Sequence, residues 1–291
     1  MKILRRISET QKLTSSLKAK NKIIGFVPTM GYLHDGHLSL IREAKKKADV
    51  VLVSIFVNPL QFGPKEDLSR YPRDMKRDEK LCRGEGVDYI FYPSVEEMYP
   101  EGYSTYVDVK AVSSGLEGGI RPGHFIGVAT IVLKLFNIAQ ANFSVFGQKD
   151  AQQAAVIRKM ASDLNVNTKI IVSPTVREKD GLAMSSRNVY LNDAQRADAP
   201  YLYKSLQFAK RKIELENYNK DIAFLRAQMY KLIKSRKTAT KIDYISFNDN
   251  RTLEEFKTLK NSKNSKNSEI LISLAVRFGN IRLIDNIVIK R

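Results

Sequence analysis

Residues 23–57 read IIGFVPTMGYLHDGHLSLIREAKKKADVVLVSIFV, and this stretch decides the fold. Its first five residues, 23–27, form an apolar run that predicts a buried strand ended by Pro28. From about 37 to 48, apolar residues recur every three to four positions, which predicts an amphipathic helix. Residues 50–57 are almost wholly apolar and rich in β-branched side chains, as in a parallel strand covered on both faces. The stretch therefore predicts one βαβ unit.

The alternation of helices and strands continues beyond this unit. Helices are predicted near 74–85, 125–140 and 150–164, and strands at 89–91, 106–109, 143–146 and 168–172. Strands that alternate with helices imply an α/β fold, here a Rossmann-like, mostly parallel sheet with helices on both faces.

The pattern changes after about residue 175. Two long helical patterns precede three strand-like segments, at 193–215, 220–236, 244–247, 270–272 and 281–284. We therefore predict two domains, residues 1–175 and a smaller C-terminal α+β domain at 176–291. The Asn/Ser/Lys-rich segment 261–268 is of low complexity and predicts a flexible surface loop.

The composition is that of a soluble globular protein, with 43% apolar and 27% charged residues. No apolar run reaches the length of about 18 residues that a membrane-spanning helix needs, so no membrane association is predicted. The first residues show no secretory signal. The single cysteine, Cys82, excludes an intrachain disulfide and fits a reducing cytoplasm. Its charged, helix-like surroundings show no catalytic context.

The formal net charge is +18, from 49 Lys and Arg against 31 Asp and Glu. Such an excess can indicate a polyanionic partner. Much of the charge is dispersed over short basic clusters, however, which favours solvated surface side chains. Anionic small substrates would benefit from the same field. Because few aromatic residues interleave with the lysine-rich tracts, we expect no nucleic-acid partner.

The first motif with chemical content is His34-Asp35-Gly36-His37, between the first strand and the helix that follows. Ligands bind at the carboxyl ends of strands in open parallel sheets. Gly31 and Gly36 allow close backbone approach or positive φ, and the helix start offers free N–H groups to an anion. The two histidines can donate hydrogen bonds to phosphate oxygens. The alternatives are a zinc site, for which no third ligand is apparent, and hydrogen-bonded structural histidines.

Asn58 and Gln61 follow the next strand. These neutral polar side chains could bind the hydroxyl and carboxylate oxygens of a small polar substrate, and the alternative is a simple turn. Arg121 and His124 add positive charge near a later helix start. They predict either an anion or substrate loop or a plain surface turn.

A further strand-to-helix junction carries Gly147, Gln148, Lys149, Asp150 and Gln153. In this segment Lys149 can neutralise phosphate charge, and Asp150 can cap the helix or contact a metal-bound nucleotide. We expect Gln153, on the first helical turn, to point into the same crevice. An ordinary capped helix start is the alternative.

The polar and cationic residues Ser185, Ser186 and Arg187 lie at the predicted domain boundary. They would suit the β- and γ-phosphates of a nucleotide, and a closing lid would be useful there. A solvated linker is the alternative.

Together, these five motifs resemble the pantoate–β-alanine ligase (pantothenate synthetase) family, in the HIGH-motif nucleotidyltransferase superfamily. The resemblance covers about 1–291 and is strongest at 23–62, 118–158 and 174–191. It implies that ATP, with Mg2+, joins (R)-pantoate to β-alanine through pantoyl adenylate, with release of AMP and pyrophosphate. It also implies a cytoplasmic homodimer. The alternative enzyme is another nucleotidyltransferase, usually shorter, which would not need the pocket of Asn58, Gln61 and Gln153.

The resemblance also assigns individual residues. Catalytic roles fall to His37, His34 and Lys149. His37 matches the family's usual proton donor, although we favour electrostatic stabilisation of the phosphates. ATP-binding residues would be Met30, Gly31, Tyr32, Leu33, His34, Asp35, Gly36, His37, Gly147, Gln148, Lys149, Asp150, Val176, Met184, Ser185, Ser186 and Arg187. Gln61 and Gln153 would bind pantoate, Gln61 also β-alanine, and Asn58 borders their pocket. No protein metal ligand is implied, because the nucleotide phosphates carry the metal. Gln148 and Ala151 depart from the family's frequent glutamate and aromatic residue.

Overall fold

The computed structural model describes residues 1–64, 66–215, 221–259 and 269–290. The chain divides into two compact units, Met1–Gln148 with Gln152–Pro174, and Lys149–Ala151 with Thr175–Arg291. We call them unit 1 and unit 2. The segment 261–268, predicted as a flexible loop, lies outside the described residues.

In the described part of unit 1, six strands form one parallel sheet in the order β1-β4-β3-β2-β5-β6. They are β1 (Lys2–Leu4), β2 (Ile24–Thr29), β3 (Val50–Ile55), β4 (Tyr89–Phe91), β5 (Phe143–Gly147) and β6 (Lys169–Ser173). The five strands after β1 have the doubly wound order of a dinucleotide-binding sheet, so the predicted Rossmann-like fold class is confirmed.

Helices pack on both faces of this sheet. The α-helices in the described part of unit 1 are α1 (Ile7–Ala19), α2 (Asp35–Lys45), α3 (Met75–Gly84), α4 (Val95–Met98), α5 (Leu116–Ile120), α6 (His124–Ala139) and α7 (Ala151–Asp163). On one face, Ile41 of α2 and Cys82 of α3 join a buried cluster with Val27, Val53 and Val145. On the other face, α1 and α6 pack together and each contacts β2. Alternate side chains of the central strands β2, β3 and β5 thus face opposite sides of the sheet, where the helices cover them.

Strands β2 and β5 separate before either of them ends. Their pairing is confined to Gly25 with Phe143 and Phe26 with Ser144. Strand β2 continues to Thr29 beside β3, and β5 continues to Gly147 beside β6. The order of strands reverses at this point, where ligands bind in doubly wound sheets. The loops after β2 and β5 therefore flank the expected binding crevice.

The predicted βαβ unit at 23–57 is confirmed as β2–α2–β3. The prediction that Pro28 ends the strand is wrong, because Pro28 lies within β2 opposite Ser54 of β3. Proline is tolerated here since the ladder to β5 has already ended at Phe26, so no N–H is needed on that side.

The prediction of a strand at 106–109 is also wrong, because this segment is irregular. Val109 is buried, and Val107 N–H donates to Thr130 Oγ1 of α6 at 2.9 Å. The alternation of apolar residues at 106–109 therefore arises because the segment contacts helix α6, and not because it pairs with a strand. Strand β1 and helix α1 carried no sequence prediction.

Unit 2 contains an antiparallel sheet of three strands among its described residues, in the order β7-β8-β9. Its elements are α8 (Asp193–Asp198), α9 (Tyr201–Leu215), α10 (Ile222–Lys234), β7 (Ala239–Asp249), β8 (Glu269–Phe278) and β9 (Ile281–Lys290). The helix predicted at 193–215 is two helices, α8 and α9, which are separated by Ala199 and Pro200. Leu206, Met229 and Phe247 belong to the buried core. The predicted C-terminal α+β class is thereby confirmed.

No helix among the described residues is long and apolar enough to cross a bilayer.

We expect Ile41→Ala to lower the free energy of unfolding of unit 1 by about 2–5 kcal/mol, because the Ile41 side chain is fully buried and its loss leaves a cavity. Ile23→Ala is the matched control, since Ile23 is 44% exposed and should lose far less. Urea unfolding followed by circular dichroism measures both variants. Equal losses would contradict the assignment of α2 to the core.

Candidate active site

The side chains of His34 and His37 hold the start of α2. His34 is the N-cap residue, and its Nδ1 accepts the Gly36 N–H at 3.1 Å. In return, His37 Nδ1 accepts the His34 N–H at 3.3 Å. The two rings lie side by side, with centroids 4.1 Å apart. This is a reciprocal capping box made of histidines, and both side chains are half-buried.

The capping box also decides where each neutral imidazole carries its proton. A ring nitrogen that accepts a hydrogen bond from N–H has no proton of its own. In the neutral form of His34 and His37 the proton therefore lies on Nε2. Each ring is then a hydrogen-bond donor at Nε2, which suits phosphate oxygens at the positive end of a helix.

The expectation of free N–H groups at the start of α2 is wrong for two residues. Gly36 N–H donates to the His34 ring, and His37 N–H donates to His34 O at 2.8 Å. At these positions the imidazoles, rather than the main chain, are the groups suited to meet an anion.

Asp78 of α3 holds the loop between β2 and α2. Its carboxylate accepts the N–H groups of Tyr32 and Leu33, both at 2.7 Å. Gly31 and Tyr32 are both left-handed, with φ of 81° and 51°, and this conformation directs successive N–H groups towards one oxygen pair. Arg77 donates to Leu33 O at 2.8 Å. The loop is thus clamped at both main-chain groups of Leu33.

Sequence reasoning missed Asp78. It lies four residues before the buried Cys82, on the apolar face of α3, and is itself 1% exposed. A carboxylate on a buried helix face was the available signal. Burial raises the pKa of Asp78, and the N–H groups of Leu33 and Tyr32 oppose that rise. Burial likewise raises the pKa of Cys82 to about 12, so this thiol is unreactive.

The Gly31 loop also borders a cavity of about 190 Å³, lined among others by Met30, Ile55, Tyr92 and Asp74. The charged side chains that line this cavity form hydrogen bonds with main-chain groups of unit 1. Asp74 caps α3 through the Arg77 N–H at 3.0 Å, and Arg73 donates to Tyr71 O at 3.0 Å. We therefore do not assign a ligand to this cavity.

Asn58 and Gln61 are brought together after β3, as expected. They start and end a short 3₁₀ turn at Pro59–Gln61, which Asn58 caps by accepting the Leu60 N–H at 3.4 Å. Asn58 Nδ2 donates to Gln61 Oε1 at 3.2 Å, and Gln61 Nε2 lies 3.0 Å from Met30 Sδ. The Gln61 amide is therefore placed beside the end of β2.

Helix α6 supports this turn at very short range. A Cβ added to Gly127 would lie 2.3 Å from Leu60 O and 2.6 Å from Gln61 N. Only glycine allows that approach, since backbone atoms cannot yield as side chains can. The approach lets Gly127 O accept from Asn58 Nδ2 at 3.1 Å.

Arg121 and His124 hold the main chain of Gln61 rather than an anion. His124 Nδ1 donates to Gln61 O at 2.8 Å, and Arg121 donates to His124 Nε2 at 3.0 Å. Arg121 also forms a two-point ion pair with Glu66, at 2.6 and 2.7 Å. Burial, helped by the Arg121 charge, lowers the pKa of His124 to about 4. The expectation that His124 adds positive charge is therefore wrong at neutral pH.

Two adjacent glutamines at the start of α7 have different surroundings. Gln152 is buried and makes three hydrogen bonds, to Val112 O, Gly115 O and Glu117 N–H. Gln153 is half-buried. Gln152 therefore holds the 112–117 segment, which leaves Gln153 as the glutamine suited to a ligand. Gly147 is the last residue of β5, and Gln148 follows it in the same unit.

The remaining predicted nucleotide residues lie in unit 2. Lys149 O accepts from Asn286 Nδ2 at 2.8 Å, and Lys149 Nζ lies 3.7 Å from Asp150 Oδ1. The neighbouring Asp285 binds Arg177 at two points, 2.7 and 2.9 Å. Strand β9 thus fixes the main chain of Lys149 and the segment that begins near Val176. The sequence showed no signal for the pairing of Arg177 with Asp285.

The segment from Val176 to Arg187 folds back on itself. Met184 N–H donates to Val176 O at 3.0 Å, and Gly181 turns the chain with φ of 96°. Ser185 then caps a 3₁₀ turn at Ser186–Tyr190 through the Arg187 N–H at 3.3 Å. The structure therefore places Ser185, Ser186 and Arg187 on one short turn.

The described residues include no group of three or more His, Cys, Asp or Glu side chains that could hold a metal ion.

The sequence model of the family described as pantoate-beta-alanine ligase matches residues 2–288. The chain belongs to the pantoate–β-alanine ligase family. It is 52% identical to the pantothenate synthetase of Caldicellulosiruptor bescii, over 100% of this chain and 99% of that one. The pantothenate synthetase of Fervidobacterium nodosum is 49% identical over 290 residues, which is 100% of each chain after rounding.

Solved structures of this family have the same fold. Pantothenate synthetase from Thermus thermophilus superposes with a TM-score of 0.88, at 41% identity and 99% coverage of both chains. The ligase from Francisella tularensis, solved with β-γ ATP and β-alanine, gives a TM-score of 0.79 at 36% identity, covering 99% of this chain and 97% of that one. The sequence-based family assignment is thereby confirmed.

We expect the stability of unit 1 to fall by about 3 kcal/mol as the pH drops from 6.5 to 4, because of His124. The pKa of His124 is lowered in the folded protein. Between pH 6.5 and 4 the imidazole is therefore protonated in the unfolded chain but not in the folded one, and folding becomes less favourable as the pH falls. Urea unfolding at several pH values measures the slope. His124→Asn keeps an N–H donor for Gln61 O but does not titrate, so it should flatten that slope. An unchanged slope would contradict a neutral, buried His124.

Proposed function

We propose that this chain joins (R)-pantoate to β-alanine at the expense of ATP, through a pantoyl adenylate, and releases AMP and pyrophosphate. The observation that carries the proposal is the histidine capping box at the carboxyl end of β2, in a chain of the pantoate–β-alanine ligase family. It supplies two Nε2–H donors at the edge of the sheet where doubly wound folds bind nucleotides.

ATP binding is assigned to the motifs that match the family's nucleotide segments. These residues are Met30, Gly31, Tyr32, Leu33, His34, Asp35, Gly36, His37, Gly147, Gln148, Lys149, Asp150, Val176, Met184, Ser185, Ser186 and Arg187. The cationic groups among them are suited to the phosphates. The Nε2–H groups of His34 and His37 on a capped helix add donors that need no rearrangement during the reaction.

Pantoate binding is assigned to Gln61 and Gln153, and β-alanine is assigned to Gln61 as well. The location of the Gln61 side chain supports this assignment. The Gln61 amide lies beside Met30 of the nucleotide loop, and its main chain is held by His124. A glutamine N–H can bind a carboxylate or hydroxyl oxygen without adding charge that would compete with the nucleotide for its cations.

The reaction then has two steps. The pantoate carboxylate oxygen attacks the α-phosphorus of ATP, and the bond to pyrophosphate breaks. The β-alanine amine next attacks the acyl carbon of pantoyl adenylate, loses a proton and displaces AMP. His34 and His37 donate hydrogen bonds at Nε2 to phosphate oxygens as charge moves towards pyrophosphate. Lys149 neutralises phosphate charge, and binding both reactants in line lowers the entropic barrier.

Mg2+, carried by the nucleotide phosphates, would lower their repulsion towards the carboxylate. The family resemblance also implies a cytoplasmic homodimer. That residues 176–291 act as a lid that closes over the nucleotide stays a prediction.

The proposal is tested with purified protein, ATP, Mg2+, pantoate and β-alanine. We expect one AMP and one pyrophosphate for each pantothenate formed, with AMP release dependent on both organic substrates. Exchange of labelled pyrophosphate into ATP should require pantoate alone. Exchange with a different acid, and none with pantoate, would instead indicate another nucleotidyltransferase.

We expect His37→Asn to slow adenylate formation by about 10²–10³-fold, the scale of losing one preorganised donor. Asparagine can keep an acceptor for the His34 N–H where Nδ1 stood, but it lacks a group equivalent to Nε2–H. Single-turnover release of pyrophosphate measures the effect, and thermal melting checks that the helix cap survives. Near-normal release from a folded variant would refute the donor role.

His37→Ala removes both the acceptor and the donor, so it should show the same kinetic loss with a lower melting temperature. The comparison separates the contribution of the cap from that of the Nε2–H donor.

A further inference from the structure

Tyr99 reaches the candidate pantoate site through Asn58. It follows α4, and its hydroxyl lies 2.8 Å from Asn58 Oδ1. Asn58 is 1% exposed and in turn touches Gln61 Oε1 at 3.2 Å. These three side chains form a continuous hydrogen-bonded relay, which we call the Tyr99 relay. The Tyr99 hydroxyl meets Asn58 rather than the histidines or the nucleotide loop, so any effect on catalysis would pass through Asn58.

Main-chain groups determine the direction of every bond in the Tyr99 relay. Gly127 O can only accept, so the NH₂ end of Asn58 must face it, at 3.1 Å. Leu60 N–H can only donate, so Asn58 Oδ1 must face that group. Tyr99 O–H is therefore the donor to Asn58 Oδ1, and Asn58 Nδ2 is the donor to Gln61 Oε1.

The orientation of the Gln61 amide follows from this polarity. With Oε1 held by Asn58, the NH₂ end is directed towards Met30 Sδ, at 3.0 Å. Gln61 thus presents N–H donors on the side of the nucleotide loop. The reversed amide would present an oxygen there, which would repel the carboxylate of pantoate.

Aromatic and cationic contacts hold the Tyr99 ring. Tyr103 packs edge-on against it, with ring centroids 5.0 Å apart, and Phe56 lies at 6.1 Å. The Lys134 ammonium lies 5.6 Å from the Tyr99 centroid and 4.5 Å from that of Tyr103. These contacts restrict the ring and so direct the hydroxyl. Burial, with Tyr103 and Tyr106 nearby, raises the pKa of Tyr99, so the hydroxyl stays a donor at neutral pH.

We propose that Tyr99 is a positioning residue for pantoate, which orients the Gln61 amide through Asn58 so that N–H donors face the substrate. The inference rests on the proposed function and on the assignment of pantoate to Gln61. It assigns Tyr99 no contact with the reacting atoms. Its effect should therefore appear in the binding of pantoate and not in that of ATP.

Tyr99→Phe removes the hydroxyl and keeps the ring. We expect KM for pantoate to rise about three- to tenfold, the equivalent of one net hydrogen bond. KM for ATP, and kcat at saturating pantoate, should stay within about twofold of the wild type. Steady-state kinetics with each substrate varied in turn measures the split. An unchanged KM for pantoate would overturn the proposal. So would an equal rise in the KM values for pantoate and for ATP.

Tyr103→Phe is the matched control, because Tyr103 belongs to the same aromatic cluster but its hydroxyl is outside the Tyr99 relay. It should leave KM for pantoate unchanged. If it raised that KM as much as Tyr99→Phe does, the effect would belong to the cluster as a whole and the proposal would fail.

A double-mutant cycle tests the route through Asn58. In an Asn58→Ala background, Tyr99→Phe should have no further effect on KM for pantoate, whereas independent roles would add. If Tyr99→Phe does not fold, Asn58→Ala alone must raise KM for pantoate, and an unchanged value would overturn the proposal. A wild-type protein that does not use pantoate would refute the proposed function itself. A normal wild type with an unaffected Tyr99→Phe variant would refute only this inference.

Discussion

The early end of pairing between β2 and β5 is the constraint on which the candidate site depends. Two residues of β2 pair with β5, whereas all six pair with β3. A sheet whose neighbouring strands separate leaves a crevice at their carboxyl ends, and the strand order reverses at this point. Proline can occupy β2 at position 28 for the same reason. The loop with His34 and His37 follows β2, and β5 ends at Gly147, on the side where the two strands have separated.

The histidines show how one local interaction can serve both stability and chemistry. The Nδ1 atoms of His34 and His37 satisfy main-chain N–H groups that would otherwise lack intrahelical partners. The same bonds leave the proton on Nε2 of each ring. Asp78 then holds the preceding loop in a left-handed conformation that few residues adopt unaided. Stability of the loop and readiness for an anion are therefore coupled.

The polar residues after β3 illustrate support by main-chain groups. Gly127 brings a helix against the turn at Pro59–Gln61, and its carbonyl determines the orientation of Asn58. His124, neutral because it is buried, holds Gln61 O, and Arg121 links it to Glu66. A side-chain amide has two nearly isosteric orientations, and fixed main-chain donors and acceptors around it are what make one of them preferred.

The sequence by itself determined the βαβ unit, the α/β class, the change near residue 175 and the motifs at the strand ends. These features depend on local periodicity, on β-branched composition and on short motifs, which act over a few residues. The family followed from five such motifs in order. The sequence also suggested a strand at 106–109 and a positive charge at His124, and both were wrong. At 106–109 the Val107 N–H donates to Thr130 of a helix instead of pairing with a strand. At His124, burial and the nearby Arg121 charge lower the pKa, so the ring is neutral.

Only the tertiary structure decided the partners of buried polar groups. Asp78 accepts hydrogen bonds from Tyr32 and Leu33, which lie 46 and 45 residues away in sequence. Tyr99 donates a hydrogen bond to Asn58, 41 residues away. Gln152 and Gln153 are adjacent and identical in type, yet the structure buries the first and leaves the second half-exposed. Periodicity shows which residues share a face of an element. It does not show which donor meets which acceptor, because that depends on how distant segments pack.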